Sequence, residues 1–329
     1  MIQWLLLIAA LYMAWNIGAN DLANSMGDVV GCHVLNMRQV IVLAGISNLA
    51  GAVLFGSRVT TTVGGGIVPL QGLSPHMIAM GATAAMLAAG CWITIATYLH
   101  MPVSTSHSIV GAMLGFGLGT VIHHQISIQS IHWVVLLKIM ASWLLSPLGG
   151  MVLAWCIFMI IKRTVIARAK DIPRLERIFG KLMVGTSCYI AFAHGSNDVA
   201  NAVGPLSMVI GSRVSPIVLA IGGVGIVFGL ATWGYKVIDT IGRRITELTP
   251  TRGFSADLAT ATTVLSCSAF GLPVSTTHTI VGAIIGVGLA GGLPAVNLNI
   301  IKQIVCSWLI TVPVAAALSL GLYLGLMMI

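Results

Sequence analysis

Charge is what this sequence has least of. Charged residues occupy 7% of its 329 positions against 57% hydrophobic ones, too few to coat a water-soluble globule of that length. The chain therefore reads as all-α and polytopic, because repeated spans of a bilayer must satisfy their backbone internally. Acidic residues are scarcer still, 8 against 16 Lys and Arg, giving a net charge of +8, and seven of the basic residues are gathered in one place. Lys162, Arg163, Arg168, Lys170, Arg174, Arg177 and Lys181 crowd one short connection. Such a local cluster is membrane-surface charge and excludes a nucleic-acid partner; by the positive-inside rule it lies in the cytoplasm. A smaller basic loop, with Arg243, Arg244 and Arg252 among Asp239, Glu247 and Asp257, is expected on the same side. The six cysteines form no C-x-x-C pair and sit mostly in apolar segments, which excludes a disulfide framework or a metal cluster. The first span has no basic leader and no small-residue cleavage site before its polar motif, so it reads as a retained helix.

What the sequence has is long apolar runs. Spans of about 20 apolar residues suit a bilayer, and they are expected near 3–34, 39–56, 76–99, 103–122, 131–161, 182–211, 215–241, 255–270, 274–292 and 299–328. Two contain polar strings, at Gly18 to Asp21 and Gly195 to Asp198, and each is expected to break there into half-helices around an unwound turn. That gives about 10–12 membrane segments, broken or re-entrant half-helices included.

The polar strings are repeated. Residues 16–27 read NIGANDLANSMG and residues 193–204 read AHGSNDVANAVG; PVSTSHSIVGAMLGFGLG from Pro102 is echoed by PVSTTHTIVGAIIGVGLA from Pro273 at 12 of 18 positions. Two related halves follow: residues 1–161 as a first repeat, 162–181 as the basic cytoplasmic linker and 182–329 as a second, forming one intertwined domain. VLAGISNLAGAVLFG from Val42 loosely matches VLAIGGVGIVFGLATWG from Val218, and Ser142 and Trp143 are matched by Ser307 and Trp308. The residues leave parallel and inverted repeats both open, since the breaks obscure the number of crossings.

A carboxylate inside a membrane span costs a few kcal/mol, roughly 2.5 to 3.5, unless it faces a cavity or a partner. Asp21 and Asp198 need such a reason. Each is followed three residues later by Asn24 or Asn201, on the same helical face. A carboxylate, amide oxygens and unwound carbonyls together make the oxygen shell a small hard cation prefers; plain interhelical hydrogen bonding is the alternative for the asparagines. The second motif offers the opposite chemistry. Pro102 and Pro273 are expected to open half-helices whose free N–H groups, with Ser104, Thr105, Ser275 and Thr276, form an anion cradle. Helix capping by the same hydroxyls is the plainer reading. His107 and His278 complete the pair of strings and suit a structural hydrogen bond, a gate or a proton carrier. His194 has no counterpart, because Ile17 fills its place. His33, His76, His100, His123, His124 and His132 lie near span ends, where interfacial water accounts for them.

The G-A-N-D-x-A-N string at Gly18 to Asn24, its partner at Gly195 to Asn201 and the two P-V-S-T-x-H strings resemble the inorganic phosphate transporter (PiT) family over nearly the whole chain. The resemblance implies an inverted-repeat fold, termini outside, the linker inside, and phosphate uptake by sodium or proton symport, with no cofactor besides the coupling ion. It also implies a homodimer in the lipid bilayer. Carried over by position, the oxyanion lies between Asp21, Asn24, Ser104 and Thr105 of one half and Asp198, Asn201, Ser275 and Thr276 of the other. Sodium sits beside it on Asn20, Asp21, Asn197 and Asp198, the two asparagines being an added expectation. The chain departs from the pattern in a short central linker and in Asp28, where a small or hydroxyl residue is common; Asp28 is either an extra cation contact or a solvent-facing acid.

Phosphate is favoured over sulfate because it keeps a proton at neutral pH and can donate it to an aspartate. A sulfate or other oxyanion permease of the same fold is the alternative. A passive anion channel ranks lower. An intramembrane hydrolase using Ser104 or Ser275 ranks last, since the whole constellation is duplicated and no G-x-S-x-G string occurs.

Overall fold

The computed structural model describes residues 2–99, 103–211, 214–235, 249–292 and 298–328. Expectations for Pro102, His100, Asp239, Arg243, Arg244 and Glu247 lie outside them, as do the side chains of Ser307 and Trp308. The described residues form eleven α-helices: α1 (Ile2–Gly31), α2 (Met37–Phe55), α3 (Ser57–Gly65), α4 (Pro75–Tyr98), α5 (Thr105–Ile122), α6 (Trp133–Thr164), α7 (Ile172–Ile210), α8 (Pro216–Thr232), α9 (Pro250–Ala269), α10 (Thr276–Gly291) and α11 (Leu298–Leu326). Among the described residues six stretches are long and apolar enough to cross a membrane: Gln3–Gly31, Met37–Phe55, Pro75–Tyr98, Thr105–Ile122, Trp133–Arg168 and Leu309–Leu326.

Helices α1 and α7 run unbroken through their polar strings, 30 and 39 residues long, so the expected unwound turns are absent. The physical reason lies in the glycines. A Cβ on Gly18 would fall 1.9 Å from the Ile226 carbonyl oxygen in α8, and one on Gly195 would fall 1.9 Å from that of Asn48 in α2. These glycines admit a neighbouring backbone and leave their own helical ladder intact. The adjacent Asn and Asp side chains bond one another and other helices, so they do not compete with that ladder.

The contacts recur in matched pairs that cross the halves. Helix α2 packs along α7 while α8 packs along α1, and α6 packs along α10 while α11 packs along α5. Gly282 and Gly286 of α10 seat on the backbone of Pro147 and Met151 in α6; Gly111 and Gly115 of α5 seat likewise on Val312 and Ala316 in α11.

Two helical hairpins, α4 with α5 and α9 with α10, enter this frame from opposite ends. Gly271, at φ +70°, supplies the left-handed turn that stops α9. Helices α5 and α10 begin at the centre and diverge along α6: Gly117 of α5 lies by Ile131 just before α6, the His107 ring stacks on Trp143 at 3.6 Å, and Lys162 Nζ donates to the Ala290 carbonyl at 2.9 Å.

The basic connection is mostly helical. Helix α6 continues to Thr164 and α7 starts at Ile172, so most of its cations ride on helix ends rather than on a loop. Arg252 and Asp257 are not loop residues either: with Pro250 in its first turn, α9 carries both, and Asp257 is buried.

Candidate functional site

The polar strings converge where the hairpin tips meet α1 and α7. Asp21 and Asp198 are 4% and 1% exposed, and both are held by bonds from neighbouring side chains. Asp21 Oδ1 accepts from Asn20 Nδ2 at 2.9 Å and from Asn24 Nδ2 at 2.8 Å, and its Oδ2 accepts from Thr105 Oγ1 at 3.3 Å. Asp198 repeats the pattern with Asn201 Nδ2 at 3.3 Å and Thr276 Oγ1 at 3.2 Å.

The bonds that join the halves start from the asparagines. Asn24 Nδ2 reaches Thr277 Oγ1 at 2.9 Å, and Asn201 Nδ2 reaches Thr105 Oγ1 and Ser106 Oγ, each at 3.3 Å. Ser106 Oγ in turn donates to the Val274 carbonyl at 2.9 Å and Thr277 Oγ1 to the Val103 carbonyl at 3.4 Å, tying each hairpin tip to the other. A hydrogen-bonded chain runs Asp21, Thr105, Asn201, Asp198, Thr276, and the next residue, Thr277, bonds Asn24, which returns to Asp21, so the ring closes through the backbone between the two threonines.

Flanking this ring, Asn20 Nδ2 donates to the Val103 carbonyl at 3.1 Å, and Asn20 Oδ1 accepts weakly from Thr97 Oγ1 at 3.5 Å. Asn197 Nδ2 instead donates to Ser268 Oγ at 3.0 Å and to the Leu272 carbonyl at 3.3 Å. Once these amide N–H groups are spent, the oxygens of Asn24, Asn197 and Asn201 are buried with no protein partner. Three orphaned acceptors beside two carboxylates suit an oxygen-seeking cation. Pro205 adds a fourth acceptor: it has no N–H for the carbonyl one turn earlier, that of Asn201. A free carbonyl thus arises without unwinding the helix.

Ser104 and Ser275 are helix caps. Each hydroxyl accepts the backbone N–H three residues on, at 3.2 Å from His107 and 3.1 Å from His278, and Ser104 Oγ also lies 2.7 Å from His107 Nδ1. Pro273 precedes this cap and lies outside α10, so it does not open the helix; Thr276 does. Of the eight expected oxyanion residues, Asp21, Asn24, Thr105, Asp198, Asn201 and Thr276 share the ring, and the two serines frame it from the caps. Ser106, Thr277, Thr97 and Ser268 join without having been foreseen. The first two were legible as the x of P-V-S-T-x-H, hydroxyl residues in both copies.

The histidine pair packs at the junction of the two hairpins. Its rings lie 4.4 Å apart at the head-to-head junction, with Trp143 stacked on His107. Pro147 frees the Trp143 carbonyl, and the His278 ring donates to it. His194 is buried with Nε2 unpartnered. Asp28 is buried against Asp257 and so is not a solvent-facing acid; Ser187 donates to Asp257 Oδ2 at 2.7 Å. Among the described residues no three His, Cys, Asp or Glu gather as a metal cluster, and no two cysteines are joined by a disulfide.

Comparison with known proteins follows the same lines. A family model described as the phosphate transporter family matches residues 17–319. A protein of Chlamydia muridarum whose name marks it as a candidate phosphate permease is 37% identical, covering 98% of each chain. The chloroplastic inorganic phosphate transporter 2-1 of Arabidopsis thaliana is 35% identical over 97% of this chain and 71% of its own. A solved structure, entitled the sodium-dependent phosphate transporter, superposes with a TM-score of 0.91 at 36% identity, covering 100% of this chain and 99% of that one.

Proposed function

The chain belongs to the phosphate transporter family and is a multi-pass membrane transporter, not an enzyme; from that premise we propose that it imports inorganic phosphate by symport with sodium. The observation that carries this reading is the ring itself. Two buried aspartates, bridged across the halves by Thr105 and Asn201, are flanked by three amide oxygens with no protein partner.

Sodium fills the orphaned oxygens of Asn24, Asn197 and Asn201 and the Asn201 carbonyl, sharing Asp21 and Asp198 with the substrate. Asn20, whose oxygen already accepts from Thr97, is the weaker ligand. Phosphate then sits between the two half-helix N-termini, on Thr105, Thr276 and the first-turn N–H groups. Its remaining proton is donated to a ring aspartate, a bond sulfate cannot make. The sodium-dependent neighbour supports the choice of ion. Residues 1–161 and 182–329 serve as inverted repeats, the matched exchange of helices supporting that division, and the basic connection faces the cytoplasm.

Uptake of labelled phosphate into proteoliposomes, with sodium and proton gradients imposed separately, tests this. Uptake is expected to be saturable, driven by sodium, and inhibited by arsenate far better than by sulfate. Asp21→Asn and Asp198→Asn each abolish it while leaving the protein in the membrane. Equal inhibition by sulfate would overturn the phosphate assignment, and uptake driven only by protons would overturn the sodium one.

A further inference from the structure

We infer that a second anion-binding position lies outside the ring, in the pocket between the α2–α3 junction and the end of α9, and that Arg58 docks inorganic phosphate there on its way to the centre. The inference rests on the phosphate reading above. The pocket, about 180 Å³, is lined by Leu54, Phe55, Ser57, Arg58, Ser268 and Ala269. At about 30 Å³ per water, that is room for a tetrahedral oxyanion with part of its hydration.

Its position is set by packing. Gly56, between α2 and α3, abuts Val199, the residue after Asp198, so Arg58 stands at the depth of the ring. The guanidinium is exposed, and Nη1 donates to the Ala269 carbonyl at 2.5 Å, at the negative end of α9. A charged arginine at that depth is costly in hydrocarbon, which favours a water-filled path beside it, with the exposed Leu54 and Phe55 at its rim. Ser268 joins pocket and ring, because its hydroxyl accepts from Asn197 at 3.0 Å. One hydroxyl group therefore separates Arg58's pocket from the expected sodium ligands.

The chemistry explains why a second position is needed. The ring holds two carboxylates and no Lys or Arg, so before its cations arrive it repels a divalent anion. A cation outside the ring raises the local anion concentration and speeds capture. The fork of Arg58 spends one N–H on α9 and keeps further donors, in a planar geometry that matches two oxygens of a phosphate. Ser57 adds an exposed hydroxyl beside it.

The test uses the full chain in proteoliposomes under a sodium gradient, with labelled inorganic phosphate. Arg58→Gln is expected to raise the KM for phosphate about tenfold, the scale of one lost charge-assisted contact, with the maximal rate kept within about twofold and the sodium dependence unchanged. Arg58→Lys keeps the charge and restores most of the KM. Ser57→Asp, a substitution at an exposed position, sets a negative charge in the same pocket and raises KM in the same way, so the outcome does not hang on one variant's folding. Unchanged KM in Ser57→Asp together with either unchanged KM or a pure loss of maximal rate in Arg58→Gln overturns the docking role. Failure of the parent reading looks different: the unaltered protein would then show no saturable phosphate uptake at all.

Discussion

At the residue scale, the two hydroxyls of each S-T pair have separate duties. Ser104 and Ser275 spend theirs on the ends of α5 and α10, while Thr105 and Thr276 spend theirs on the aspartates. Losing a cap costs about 0.5–2 kcal/mol of stability. Ser104→Ala and Ser275→Ala are therefore expected to melt at lower temperature yet bind phosphate close to normally. Thr105→Val and Thr276→Val remove a donor in a buried site, a loss of about 1–3 kcal/mol, and are expected to weaken phosphate binding about fivefold to a hundredfold. Melting curves and calorimetry on the purified protein separate the two; weak binding by both serine variants with normal binding by both threonine variants would reverse the assignment. The sequence named the pair but gave no means of dividing its work, because the division depends on which residue caps and which is first in the helix.

At the scale of the element, α7 carries two glycines of opposite consequence. Gly195 touches the backbone of Asn48, whereas a methyl group on Gly185 would meet nothing within 4 Å. Gly195→Ala is expected to force α2 away and lower the melting temperature. Gly185→Ala should raise it, since alanine in an exposed helix position is favoured over glycine by about 0.4–1 kcal/mol. If both substitutions shifted the melting point alike, the close approach of α2 and α7 would not be what Gly195 is for.

The same glycines mark where the sequence misleads. Gly18 and Gly195 beside Asn and Asp look like helix breakers when the chain is read alone, and nothing in the string reveals the helix pressed against it. The spans, the duplicated aspartates and the meeting of the halves were legible because each leaves a periodic or repeated trace. Helix α3 was folded into no expected span, and the bonds from Asn24 to Thr277 and from Asn201 to Ser106 join residues far apart in the sequence.

For the whole molecule, the exchange of helices has a consequence for assembly. Each half finds its main packing surfaces on the other, and the connection from Val165 to Asp171 is the thinnest link between them. Residues 1–168 and 169–329, expressed separately, are expected to be degraded, and co-expressed, to assemble and restore uptake. A stable, monodisperse fragment from either half alone would contradict the interdependence.

The head-to-head start of α5 and α10 also sets what must not leak. Both helices present their positive ends to one point from opposite sides, so a bare cation passing through meets an electrostatic ridge whichever way it travels. Under the proposed symport, Asp21 and Asp198 lower that ridge for sodium, and the anion lowers it further. In proteoliposomes without phosphate, sodium flux is therefore expected to stay at the level of protein-free vesicles, and a steady phosphate-independent current would mean that the ridge is absent. The geometry that attracts the nutrient thus also keeps the cell's ion gradient from running down when there is no nutrient to carry.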